Sequence, residues 1–135
     1  MHAAQLLAAH LERLPVDPAS WLELFAEDAL VEFPYAASLG APGRFEGRDA
    51  IRHYFFAALE NFRGLTFSSA RLYPGADPAF ALAEVHGSAT IASTGKSYEQ
   101  DYVMVIEARG GRIARYREYW NPLPAVEALD LKGPR

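Results

Sequence analysis

Apolar positions along this chain follow a helical period in the first half and an alternating one in the second. Leu7, Leu11 and Leu14 recur at helical spacing, and Pro15 stops that pattern. Asp17 then stands as an N-cap with Pro18 in the first turn, predicting a short second helix through Trp21, Leu22 and Phe25. Residues 29–33 read as a strand that Pro34 ends. From Asp49 onward, Ile51, Tyr54, Phe55, Ala58 and Leu59 make one apolar stripe of a third helix, and Gly64 is read as its stop. Beyond Gly64 the breaks at Pro74-Gly75, Gly95 and Gly110-Gly111 separate four strands, over residues 65–73, 80–92, 97–108 and 112–120. Short turns make those neighbours antiparallel, and residues 125–131 read as a last helical turn or two.

Three helices followed by a long meander predict an α+β fold, with the helices packed on one face of a strongly curved, mainly antiparallel sheet. Long strands curl, and a bent sheet capped by helices makes a cone whose interior suits a small molecule.

Composition narrows the chemistry. The chain has 135 residues, 13 basic against 17 acidic groups, a formal net charge of -4 and no cysteine. That size supports a single domain over 1–135 with its own core. Without cysteine there is no thiolate nucleophile, cysteine-bound zinc or iron–sulfur cluster. Scattered Lys and Arg on an acidic chain do not make a phosphate-neutralising surface, so no nucleic-acid partner is expected. Gln5, His10, Glu12 and Arg13 interrupt the apolar N-terminal stretch, and no basic leader precedes it. Neither signal peptide nor membrane span is expected, and a cytoplasmic location follows by default. There is no glycine-rich phosphate loop and no serine-hydrolase elbow, so no nucleotide cofactor is expected.

Period two sorts the strand residues by face. On the last strand Ala114, Tyr116, Glu118 and Trp120 share one face, and Ile113, Arg115, Arg117 and Tyr119 the other. Glu118 then sits among aromatic side chains that disfavour the carboxylate and suit it to acid/base work; the alternative places it at the sheet rim, paired with an arginine. On the preceding strand Tyr98, Gln100, Tyr102, Met104 and Ile106 share a face that fits a pocket wall. Tyr98 or Tyr102 is placed to donate to a developing oxyanion, unless their rings merely pack with the hydroxyls in water. Glu84 and His86 point the same way but lack a third ligand at any recognisable spacing, so no metal site is expected, and His86 is a candidate pocket residue. His53 falls at the edge of the helical stripe, and His10 lies between Leu7 and Leu11.

Residues 25–29 (Phe-Ala-Glu-Asp-Ala) leading into Val31-Glu32-Phe33-Pro34, then Phe45-Glu46-Gly47-Arg48 before the third helix, resemble the SnoaL-like members of the NTF2-like, ketosteroid isomerase-like superfamily. In the C-terminal half, Tyr98-Glu99-Gln100-Asp101-Tyr102 and Tyr116-Arg117-Glu118-Tyr119-Trp120-Asn121-Pro122 resemble the PhzA/PhzB-like group. The resemblance implies a cone-shaped α+β barrel, a homodimer, a hydrophobic pocket and no cofactor. It also implies a superfamily of isomerases, cyclases, epoxide hydrolases, dehydratases and proteins that only bind.

Carried over residue by residue, the isomerase base falls at Phe33 and its oxyanion aspartate at Tyr102, which argues against steroid isomerisation. The PhzA/PhzB-like acid/base glutamate falls at Glu118 and a pocket tyrosine at Tyr98. The helix-three histidine and serine of that group fall near Tyr54 and Ala58. The expected site is therefore Glu118 with Tyr98 and Tyr102 as catalytic groups. Gln100, His86, Trp120, Tyr116, Tyr54, Phe33, Met104 and Phe55 are expected around a small apolar or aromatic ligand. The competing expectation is a module that binds a metabolite or partner without chemistry. Val103, Val105, Ile113 and Tyr119 on the outer sheet face suggest a surface for a second copy.

Overall fold

The computed structural model describes residues 1–132. Helix α1 (Ala3–Arg13) buries Leu6, Leu7 and His10 against the sheet. Helix α2 (Pro18–Leu22) starts as its signals dictate, with the Asp17 carboxylate accepting from the Ser20 N–H at 3.3 Å. It stops at Leu22, so Phe25 opens strand β1 (Phe25–Glu32) instead of ending the helix, and Phe33 lies just past the strand. A 3-10 turn (Ala36–Leu39) and the short strand β2 (Arg44–Glu46), neither expected from the pattern, precede α3 (Arg48–Asn61).

Helix α3 runs straight into β3 (Phe62–Pro74), so the helix ends before Gly64, not at it. Gly64 lies inside the strand at φ 67°, where the register against the next strand shifts between Arg63 and Thr66. A left-handed residue in a strand makes a bulge, and glycine is what permits it here. Strands β4 (Phe80–Ile91), β5 (Ser97–Arg109) and β6 (Arg112–Trp120) follow, and α4 (Pro122–Leu129) closes the described chain.

The sheet order is β2-β1-β6-β5-β4-β3, antiparallel throughout except that β1 and β6 run parallel. Further register shifts fall between Ser68 and Arg71, where Ser69 takes φ 55°, and between Glu107 and Ala108. Bulges bend strands and increase local twist, which wraps this sheet around one concave face. The core fills that face: Trp21, Phe25, Ile51 and Phe55 are buried against Tyr116, Met104 and Ile106. Trp21 packs on Phe25 and Phe55 at 4.8 and 4.6 Å between ring centroids. Replacing so large a buried ring by alanine costs about 3 to 5 kcal/mol.

The β6 shift corrects one expectation. Glu107 pairs with Arg115 and Ala108 with Ile113, leaving Ala114 as the extra residue. Alternation flips across it, so Ile113 is buried in the core and does not join Arg115, Arg117 and Tyr119 on the outer face. There Arg115 meets Glu32 at 2.7 Å and Arg117 meets Glu107 at 3.2 Å. No helix among the described residues is long and apolar enough to cross a membrane.

Candidate active site

Between the concave sheet face, α3 and α4 lies a cavity in two lobes of about 90 and 140 Å³. Both lobes are lined by Phe33, Tyr54, Phe62, Tyr102 and Glu118, so Glu118 forms part of the wall of each. The smaller lobe runs under α3, against Phe55, Leu59 and Phe67. The larger is walled by Tyr98 and Trp120, and by Leu39, Ala125 and Leu129 from the 3-10 turn and α4. A cavity of roughly 150 Å³ holds a benzene ring, so the larger lobe is about the size of one ring and the smaller lobe takes less.

Glu118 is partly buried, and Tyr116 donates to its Oε1 at 2.6 Å. Among the described residues no hydrogen bond reaches its other oxygen. Burial lifts this carboxyl from 4.5 to about 7, outweighing the opposing effect of the Tyr116 bond. An acid titrating near neutrality can give or take a proton at physiological pH. The arginine pairing weighed from sequence does not occur, because Arg115 and Arg117 lie on the opposite sheet face with Glu32 and Glu107.

Tyr98 and Tyr102 line the larger lobe together with Glu118; their hydroxyls are 3.3 Å apart, and the Gln100 Nε2 donates to the Tyr98 hydroxyl at 3.1 Å. Burial pushes the phenols of Tyr98 and Tyr102 up, and that of Tyr54 to about 12, with the nearby Glu118 charge adding to each. These groups therefore stay protonated as donors. Gly87 on β4 makes room for the Tyr102 ring: a Cβ there would stand 2.7 Å from its Cε2.

Of the residues expected from sequence, Glu118, Tyr98, Tyr102, Tyr54, Phe33, Phe55 and Trp120 converge on the cavity. Four do not line it. Met104 and Tyr116 are fully buried in the core beneath it, and Tyr116 acts only through Glu118. Gln100 is buried behind the tyrosines, bonded to Tyr98 and to both backbone groups of Asn121. His86 points to the other side of the sheet, where Glu99 and Asp101 meet its ring nitrogens at 2.8 and 2.9 Å and raise its pKa.

No cluster among the described residues could hold a metal ion. The sequence reading missed Phe62, hidden at the junction of α3 and β3, and the α4 wall. The apolar spacing of Ala125 and Leu129 is the signal that was available for the latter.

His10 belongs to the core. Its Nδ1 accepts from the Trp21 indole at 2.8 Å, and burial drops its pKa to about 3, so it is neutral in the fold.

Comparison with known proteins gives a consistent kinship. The SnoaL-like domain family matches residues 6–116. The uncharacterized protein YesE of Bacillus subtilis is 43% identical over 116 residues, 86% of this chain and 78% of its own. An uncharacterized PhzA/B-like protein of Pseudomonas aeruginosa is 37% identical, covering 96% of this chain and 91% of its own. The crystal structure of a candidate isomerase from Bacillus subtilis superposes with a TM-score of 0.86 at 38% identity, over 98% of this chain and 96% of that one. At 22% identity an NTF2-like protein of Anabaena variabilis shares the fold, with a TM-score of 0.72 over 87% of this chain and 84% of its own.

Proposed function

The chain belongs to the SnoaL-like domain family, and from that footing we propose that it is a cofactor-independent acid/base enzyme of the isomerase, cyclase or dehydratase type. Glu118 moves the proton, and the substrate is a small, uncharged apolar or aromatic compound carrying a carbonyl. The observation that carries this reading is the Glu118 carboxyl itself. It is held by one tyrosine on one oxygen, free on the other, set in the wall of two apolar lobes, and raised to about 7.

The chemistry follows from the positions. The carboxylate takes a proton from the carbon next to the carbonyl, and the C–H electron pair becomes the enolate double bond as charge moves onto oxygen. A hydroxyl proton from Tyr98 or Tyr102 stabilises that oxyanion. Where a carbon–carbon double bond flanks the enolate, the carboxylic acid returns the proton to its far carbon and the double bond shifts, which isomerises the substrate. Where a β-hydroxyl is present, the enolate electrons expel it as the acid protonates it, and it departs as water. Neither lobe is lined by a described Lys, Arg or His, so an anionic substrate would lose its hydration with no countercharge.

A test uses 2-tetralone in D2O, with loss of the α-proton signal followed by NMR. Exchange faster than buffer alone in the parent, abolished in Glu118→Gln, is expected. No exchange above the buffer rate, or an unchanged rate in the variant, would contradict the proposal.

The second reading is a module that holds a metabolite unchanged, favoured by the enclosure of the larger lobe under α4. A ligand that raises the melting temperature and is recovered chemically intact, with no exchange of 2-tetralone, supports that reading instead. The assembly we propose is a homodimer through the outer sheet face, where Val103, Val105 and Tyr119 lie half-buried among ion pairs. Light scattering should give twice 14.9 kDa, and a monomer mass would refute it.

A further inference from the structure

Gln100 is 1% exposed, and every bonding position of its amide is filled. Its Oε1 accepts from the backbone N–H of Asp101 at 3.1 Å and of Asn121 at 3.0 Å. Its Nε2 donates to the Asn121 carbonyl at 2.8 Å and to the Tyr98 hydroxyl at 3.1 Å. The orientation of the amide follows from these partners. Backbone N–H groups face only an acceptor and a carbonyl faces only a donor, so the group aimed at Tyr98 is N–H.

The consequence reaches the cavity. Tyr98 must accept from Gln100, and one hydrogen bond links Tyr98 to Tyr102. Two tyrosines bring two hydroxyl protons, and that single bond uses one of them, whichever oxygen donates. The other has no acceptor among the described residues, and no hydrogen bond joins either tyrosine to Glu118. Both tyrosines border the larger lobe.

We infer that Gln100 is a positioning residue that meets Tyr98 as a donor and never as an acceptor, so that it takes neither hydroxyl proton of the tyrosine pair and one is left to be donated to whatever occupies the cavity. The role rests on the reading that this cavity receives an acceptor-bearing ligand. The same amide holds Asn121, whose side chain caps α4 by accepting from the Leu123 N–H at 3.1 Å. The donor pair and the helix that walls the cavity are therefore anchored by one side chain.

Two substitutions separate polarity from packing. In Gln100→Glu the oxygen facing Tyr98 is an acceptor, and if the carboxyl is protonated its one hydrogen goes to the Asn121 carbonyl. Tyr98 then donates to the introduced carboxyl and Tyr102 to Tyr98, leaving no proton for the cavity. In Gln100→Met the packing volume is kept, the amide is lost, and one tyrosine proton remains free.

The probe is acetophenone, carbon-13 labelled at the carbonyl and followed by infrared spectroscopy and titration. The parent and Gln100→Met should show the carbonyl band of the bound ketone below its value in hexane. Gln100→Glu should bind about tenfold more weakly, as expected for one lost hydrogen bond, with the band back at the hexane position. Equal bands in the parent and Gln100→Glu, or equal losses in both variants, would overturn the assignment.

A neutron structure of the deuterated, ligand-free parent tests it without any ligand and without a variant that must fold. Deuterium on Nε2 toward Tyr98, with one tyrosine deuteron pointing into the cavity, supports the role; an inverted amide, or both deuterons engaged by protein groups, refutes it. If acetophenone does not bind the parent at all, the acceptor-ligand reading fails, and the neutron map alone decides the polarity.

Discussion

Substituting Glu118 by glutamine should make the protein more stable at alkaline pH, and the size of the gain follows from the site. The unfolded chain holds this carboxyl at its ordinary 4.5, whereas in the fold it titrates at about 7. Between those values the folded state binds more protons than the unfolded one, so stability falls as pH rises through that window and levels off above 7. A shift of this span corresponds to about 3 kcal/mol at full burial. Access of water from the cavity lowers that figure, and about 2 kcal/mol is the expected loss between pH 5 and 8.

Glutamine keeps an oxygen to accept from Tyr116 and carries no charge to desolvate, so the variant should not show this loss. Urea unfolding of both proteins at each pH measures the difference directly, and about 2 kcal/mol appears as a midpoint shift on the order of 1 M. A difference between parent and Glu118→Gln that stays flat from pH 5 to 8 would show that the carboxyl is not desolvated. The reasoning about its acidity would then be wrong.

The opposite limb belongs to His10. The unfolded chain protonates it below 6.5 while the fold keeps it neutral down to about 3, so its contribution is complete above 6.5 and is lost as pH falls. His10→Gln, which retains an acceptor for the Trp21 indole, should gain about 2 kcal/mol on the parent between pH 7 and 5 in the same unfolding assay. Gly87→Ala places a methyl group 2.7 Å from the Tyr102 ring, so the ring must move. A loss of about 1 to 3 kcal/mol is expected, together with weaker acetophenone binding. Unchanged stability and affinity would mean that Tyr102 is not packed on Gly87.

The α+β layout was legible because its signals are local. The stripe of Ile51, Tyr54, Phe55, Ala58 and Leu59 fixes α3, and glycine or proline breaks separate the four long strands. The parallel pairing of Val31 with Tyr116 was not, since partners so far apart in sequence leave no mark on either segment. Ile113 went to the wrong face because a single bulged residue, Ala114, inverts an alternation that otherwise holds.

Within the site, the aromatic face around Glu118 foretold its environment, and the resemblance pointed to the same residue. The outward turn of His86 was also readable, from the small apolar Ala81, Ala83 and Val85 that alternate with it on β4. Gln100 lies on the expected face yet serves backbone groups of Asn121. That role depends on how the chain returns after β6, which periodicity does not encode.

The central claim is that Glu118 carries the proton, and the pH profile of 2-tetralone exchange tests it most directly. A carboxylate base predicts a protein-catalysed rate that rises with pH to a plateau, with its midpoint near the value of about 7 set by burial, and no such rate in Glu118→Gln. A profile that is flat across that range, or one that survives the substitution, would contradict the claim.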